Sequence, residues 1–219
     1  MAKVEIPLAS IEAAIFDMDG TMINNMAYHQ KAWQEYLRRH GIELDEAEFK
    51  AKISGKKNDQ IFEIVFGHPL GAEELALRTE EKESLYQELY APNIIEVAGL
   101  TTVIDELHRR GIKTAIATTA PAGNRNFGLA ALGMQDKFEV ILGDEHVTHG
   151  KPDPEIYLKT AEQLGVEPAQ CIVFEDSPPG VESAKRAGMT VVGILTSHMP
   201  EELPDVDYVV NDFSEIIFV

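Results

Sequence analysis

The chain has 219 residues, a length that suits one ordinary domain or one domain carrying a smaller insertion. Apolar residues make up 44% of it, enough for a sizeable core, while a formal net charge of −18 argues against nucleic acid or an anionic membrane surface as partner. No apolar run approaches the ~20 residues of a membrane-spanning helix. MAKVEIPLAS has no secretory pattern, and the single Cys171 rules out an internal disulfide, so the cytoplasm is the expected compartment.

Residues 12–17 (EAAIFD) form a brief apolar run that stops at a carboxylate and reads as the first strand. From about 26 to 94 the pattern turns helical, over 28–40, 58–66 and 73–90, with no convincing strand. In 28–40, Ala32, Trp33, Tyr36 and Leu37 recur at helical spacing. This block reads as an inserted all-helical domain (26–94), with hinges near Asn24 and Asn93, leaving 1–25 and 95–219 as the core. There, predicted strands at 112–117, 139–142, 171–174, 190–195 and 208–210 alternate with predicted helices at 101–110, 124–132, 155–164 and 181–187. Each helix runs into a glycine (Gly111, Gly133, Gly165, Gly188), where a left-handed C-terminal cap is expected. The strands are apolar nearly throughout, as in parallel sheets buried on both faces. The pattern predicts a doubly wound α/β core.

The first strand ends in Phe16-Asp17-Met18-Asp19-Gly20-Thr21. Two carboxylates spaced i, i+2 at the carboxyl end of a buried strand face the crevice where open α/β sheets bind ligands, and Gly20 permits a sharp turn and close approach to an anion. On its own this pair could merely cap the next helix. Glu175 and Asp176 end the strand at 171–174 at the same sheet edge. Hard carboxylate oxygens there suit Mg²⁺ better than the solvated turn that Ser177-Pro178-Pro179-Gly180 would otherwise suggest.

Taken together, FDMDGT, IATTA with Thr118, GKPDPEIY with Lys151, and FEDSPPGVESAKRAGM with Glu175 and Asp176 resemble, in order, the signatures of the haloacid dehalogenase superfamily. The helical insertion resembles the small cap of its β-phosphoglucomutase-like branch. The resemblance covers almost the whole chain and implies a Rossmann-like core, an inserted cap domain and an aspartyl-phosphate mechanism. It implies Asp17 as nucleophile and Asp19 as general acid and base, the latter with a proton affinity raised by neighbouring negative charge. Lys151 and Thr118 would bind phosphate oxygens, with Lys151 also holding Asp17 ionised. Magnesium would be held by Asp17, Asp176, the Asp19 carbonyl and Glu175, the last directly or through water. Thr119 and, in the insertion, His29, Lys82 and Asn58 complete the candidate substrate-binding set. His29 could equally be an ordinary helix histidine, and Lys82 an i, i+4 pairing residue.

An acid at position 19 sets the chain apart from relatives that cleave carbon–halogen or carbon–phosphorus bonds, whose leaving groups need no proton. The expected substrate is a small phosphorylated metabolite, a sugar phosphate first, and nothing demands more than a monomer. Hydrolysis is favoured over a mutase reaction: in Ser54-Gly55-Lys56-Lys57-Asn58-Asp59-Gln60 no arginine stands where the mutase pattern carries one, and Asn25 replaces the family's threonine. Lysine does not reproduce the bidentate fork of arginine. A non-catalytic metal- or phosphate-binding module is the remaining alternative.

Overall fold

The computed structural model describes residues 3–53, 56–203 and 205–219; Ser54 and Gly55, at the start of the loop read against a mutase, lie outside them. In chain order the elements are β1 (Val4–Ile6), β2 (Ala13–Phe16), α1 (Met26–Arg39), α2 (Glu46–Lys52), α3 (Asn58–Phe66), α4 (Ala72–Tyr90) and α5 (Leu100–Arg109). They continue with β3 (Lys113–Ala117), α6 (Ala122–Leu132), β4 (Val140–Leu142), α7 (Glu155–Leu164), β5 (Cys171–Glu175) and α8 (Pro178–Arg186), then β6 (Thr190–Ile194), β7 (Tyr208–Val210) and β8 (Ile216–Phe218). The chain divides into two compact units, Met1–Met26 with Ile94–Val219, and Ala27–Asn93.

In the first unit, six strands form an all-parallel sheet in the order β4-β3-β2-β5-β6-β7. The chain starts in the middle at β2, builds outward through β3 and β4, then crosses to β5, so the switch point lies at the carboxyl end of β2. Side chains alternate between faces. Ala13, Ile15, Ala115, Ala117 and Val173 pack with Ile156, Tyr157 and Ala161 of α7 and Val181 of α8. On the opposite parity Phe16 stacks on Phe174 with ring centroids 4.7 Å apart, and both meet Phe213. The anticipated helix-stopping glycines, Gly111, Gly133, Gly165 and Gly188, all have positive φ.

Three elements run against the sequence reading. β1 and β8 form a separate two-stranded parallel sheet with Val4 opposite Ile216. Three residues each, paired across nearly the whole chain, leave no local periodicity to read. In the helical unit, α2 is an extra helix that buries only Phe49. Its start is a capping box: Asp45 Oδ1 accepts the Glu48 N–H at 2.8 Å, and Glu48 accepts the Asp45 N–H at 3.2 Å.

The helical unit is held by aromatic packing. Trp33 and Tyr36 of α1 lie 5.1 and 5.5 Å from the Phe62 ring of α3, and Tyr86 and Tyr90 of α4 are buried. Phe62 is fully buried. Phe62→Ala should destabilise this unit by about 3–5 kcal/mol, the usual cost of a large aromatic cavity. The only tryptophan, Trp33, touches that ring, so urea unfolding followed by its fluorescence reads the effect directly.

Candidate active site

β2 pairs with β3 and β5 in one register: Phe16 stands opposite both Ile116 and Phe174. The next residue on each chain is therefore Asp17, Ala117 and Glu175, at one level of the sheet edge, with Thr118 and Asp176 one step further. The Asp17 N–H continues the ladder to the Phe174 carbonyl at 3.0 Å. Parallel pairing thus brings together residues more than 150 positions apart.

Asp17, Glu175 and Asp176 are all buried, and each offers a carboxylate oxygen within 4.8 Å of the others. Lys151 meets them from the segment before α7. Its ammonium donates to Asp17 Oδ1 at 2.6 Å, to Glu175 Oε1 at 2.5 Å and to the Ala117 carbonyl at 3.0 Å. Burial by itself would favour the neutral amine, but Asp17 and Glu175 outweigh it and push Lys151 well above its ordinary pKa. Three carboxylates against one ammonium leave surplus negative charge. Burial pushes the Asp17 carboxyl well above its usual range; Lys151 pulls it down, and Glu175 and Asp176 push it up again. Asp176 is pushed up to about 7, first by burial and then by Glu175, against the hydrogen bonds of Ser197 and Thr21. A buried, hard-oxygen set with excess negative charge fits a divalent cation such as Mg²⁺.

The carboxylates differ in how they are held. Glu175 is saturated: Oε1 accepts from Lys151 and from the Tyr157 hydroxyl (2.8 Å), and Oε2 from the Asp176 N–H, the Ser177 N–H and the Ser177 hydroxyl at 3.1–3.2 Å. Five donors fill the roughly four lone-pair positions of a carboxylate. Among the described residues, Asp176 is bound at its side chain by hydroxyls alone, Thr21 Oγ1 on Oδ1 at 2.9 Å and Ser197 Oγ on Oδ2. Two glycines make room: a methyl on Gly20 would overlap the Asp176 carboxylate, and one on Gly180 the Glu175 carboxylate. Gly20 also has φ +83°, a conformation other residues rarely adopt.

Asp19 is half-buried at the turn after β2. Asn25 holds its side chain, Nδ2 donating to Oδ1 at 2.7 Å, while Oδ1 of the Asn25 amide accepts the Gly20 N–H at 3.2 Å. Thr118 is buried just past β3, and its Oγ1 accepts the Ala120 N–H at 3.1 Å, which turns the hydroxyl proton elsewhere; Thr119 is exposed. Cys171 lies inside β5, its thiol pushed up to about 11 by burial, which leaves it unreactive.

The remaining predicted positions belong to the helical unit, where the structure brings His29, Lys82 and Asn58 around Glu83. Lys82, only 2% exposed, donates to Glu83 Oε1 at 2.8 Å and to His29 Nδ1 at 3.3 Å, and Asn58 Nδ2 donates to the same Glu83 oxygen at 2.8 Å. An ammonium only donates, so neutral His29 carries its proton on Nε2. The His29 ring lies flat on Tyr86, with centroids 3.9 Å apart. Sequence reasoning missed Glu83, Tyr157, Thr21 and Ser197, and gave Asn25 no role of its own. Each works through a partner distant in sequence or through a turn; Thr21, inside the first motif, and Tyr157, at the end of GKPDPEIY, carried a signal, the others none.

An open parallel sheet with buried carboxylates gathered at its switch point defines an α/β enzyme core. The family model for haloacid dehalogenase-like hydrolases matches residues 11–188, and the chain belongs to that family. It is 31% identical over 208 residues to validoxylamine A 7'-phosphate phosphatase of Streptomyces hygroscopicus subsp. limoneus, covering 94% of this chain and 95% of that one. It is 32% identical to the fructose-1-phosphate phosphatase YqaB of Escherichia coli K12 (82% and 94% covered) and 30% identical to the β-phosphoglucomutase of Bacillus subtilis 168 (84% and 83%). Among solved structures it resembles a family IA, variant 3 hydrolase from Entamoeba histolytica, with TM-score 0.86, 32% identity and 94% and 96% of the two chains covered. Among the described residues, no helix is long and apolar enough to cross a membrane.

The raised carboxyl pKa values have a direct consequence for cation binding. Asp176 ordinarily titrates near 3.8 and here near 7. Between those values the folded protein holds a proton that the unfolded chain does not. This group's contribution to stability therefore falls as pH rises through that window, and a bound cation must displace the proton. Mg²⁺ affinity, measured by isothermal titration calorimetry, should rise by roughly tenfold per pH unit up to about pH 7 and then level off. A pH-independent affinity between 5.5 and 7 would contradict the assignment.

Proposed function

We propose that the protein is a Mg²⁺-dependent phosphatase acting on a small phosphorylated sugar or polyol through a phosphorylated Asp17. The observation that carries this reading is the buried carboxylate cluster around the Lys151 ammonium, at the end of the strand that carries Asp17. Membership of a hydrolase family and likeness to two sugar-phosphate-type phosphatases support it.

In the proposed reaction Asp17 attacks phosphorus, an acyl-phosphate bond forms, and the ester oxygen leaves with a proton from Asp19. Asp19 then takes a proton from water as that water attacks the acyl phosphate, releasing inorganic phosphate and restoring Asp17. Asn25 aims the Asp19 carboxyl. Lys151 holds the Asp17 rotamer and, with the Thr118 hydroxyl, neutralises charge on the phosphoryl oxygens. Asp17, Asp176 and the Asp19 carbonyl would hold the magnesium ion, which supplies charge neutralisation at the phosphoryl group. Glu175, with both oxygens already engaged, acts as the anchor of Lys151 rather than as a direct ligand.

His29, Lys82 and Asn58 of the helical unit are the proposed substrate-binding set, gathered around Glu83. A second phosphate requires surplus positive charge, whereas the charge of Lys82 is matched by Glu83 at 2.8 Å. That pairing suits hydroxyl groups and favours hydrolysis. The β-phosphoglucomutase relative favours the second reading, in which the phosphoryl group returns to the sugar. Incubation with β-glucose 1-phosphate and trace bisphosphate separates the two: released phosphate supports hydrolysis, and glucose 6-phosphate would overturn it. Localisation to the cytoplasm and a monomeric state belong to the same proposal and rest on composition alone.

Two substitutions test the chemistry with Mg²⁺ and p-nitrophenyl phosphate or the best substrate of a sugar-phosphate screen. Asp17→Asn should abolish turnover, since the amide is a poor nucleophile. Asp19→Ala should lower kcat by roughly 10²–10⁴-fold, the usual worth of general acid–base help. Near-wild-type turnover in either variant would defeat its assigned role.

A further inference from the structure

One residue past the end of β6, Thr196, Ser197 and His198 all reach into the two motif turns. The Thr196 hydroxyl donates to the Gly20 carbonyl, in the turn after β2. The Ser197 hydroxyl donates to Asp176 Oδ2. His198 Nδ1 lies 3.0 Å from the Asp176 carbonyl and 2.8 Å from Ser197 Oγ. A carbonyl only accepts, so Nδ1 of His198 carries the proton. Ser197 gives its one proton to Asp176 Oδ2, and its oxygen shares the single Nδ1 proton of His198 with the Asp176 carbonyl. The hydrogen bonds therefore run in one direction, from the His198 ring through the Ser197 hydroxyl to the Asp176 carboxylate.

The other Asp176 oxygen accepts from Thr21 at 2.9 Å. A carboxylate with one hydroxyl on each oxygen is fixed in plane and rotation. Each oxygen also keeps a second lone pair, the one a cation needs. Glu175 offers no such capacity, being saturated by five donors. Cations demand well-aligned ligands, and Mg²⁺ most of all, with its near-octahedral preference. Partners that orient a ligating carboxylate govern metal affinity without touching the ion.

We propose that Thr196, Ser197 and His198 form a positioning loop for the metal centre, in which Ser197, oriented by His198, presents Asp176 to the cation while Thr196 ties the Gly20 turn to the same loop. The inference rests on the magnesium reading above and adds three residues to it. None of them is a catalytic residue; they act through Asp176 and Gly20.

The test is Mg²⁺ titration of the full chain by calorimetry, beside thermal melting of the metal-free protein. Ser197→Ala should weaken Mg²⁺ binding by roughly 10–100-fold, the usual loss when such a partner is removed. Its metal-free melting temperature should stay near wild type, and Ser197→Thr, which restores the hydroxyl, should recover most of the affinity. Ser197→Ala binding as tightly as wild type, or Ser197→Thr binding as weakly as Ser197→Ala, would overturn the proposal. Should Ser197→Ala fail to fold, His198→Ala carries the test: it leaves the hydroxyl but removes its orienting N–H. A several-fold weaker affinity is then expected, and an unchanged one counts against the loop. A wild-type chain that binds no Mg²⁺ would remove the metal reading and the loop with it, whereas normal wild-type binding with unaffected variants removes the loop alone.

Discussion

One ammonium facing three buried carboxylates is the constraint around which the core unit is organised. Lys151 can satisfy Asp17 and Glu175 at 2.5–2.6 Å, but it cannot neutralise a third charge. That surplus raises the proton affinity of Asp17 and Asp176, and a bound cation would offset it. Burying such an imbalance is costly, and a fold retains it where the charge itself is needed. An overall charge of −18 adds to that local surplus, so an anionic group could approach only where Lys151 and a bound cation supply positive charge.

The surrounding structure serves to hold those groups in place. Parallel pairing of β2 with β3 and β5 in one register sets Asp17 and Glu175 side by side. Tyr157 reaches Glu175 from α7, a helix packed on the same strands. Gly20 and Gly180 leave the space that the Asp176 and Glu175 carboxylates occupy. Five donors on Glu175 and two hydroxyls on Asp176 give two adjacent acids different surroundings.

The helical unit follows a different electrostatic logic. Its buried cation is matched by a carboxylate within the same cluster, and an amide and an imidazole complete it. A balanced cluster of donors and acceptors reads hydroxyl groups, whereas an unbalanced one reads charge.

Much of this was legible in the chain itself. Short apolar runs ending in Asp17 and in Glu175-Asp176, helices stopped by glycine, and four ordered motifs determined the α/β class, the family and the acids at the sheet edge, because each is a local pattern a few residues long. The tertiary structure alone decided which groups hold those acids. Ser197 reaches Asp176 from the neighbouring strand's loop, and Thr21 reaches it across 155 residues. Asn25, read as a missing threonine, proved to orient Asp19, and Glu83, unremarkable among the acids of α4, compensates Lys82. The β1–β8 pair escaped for the same reason. A contact between distant segments depends on strand register and helix packing, and neither leaves a periodicity in the residues that make it.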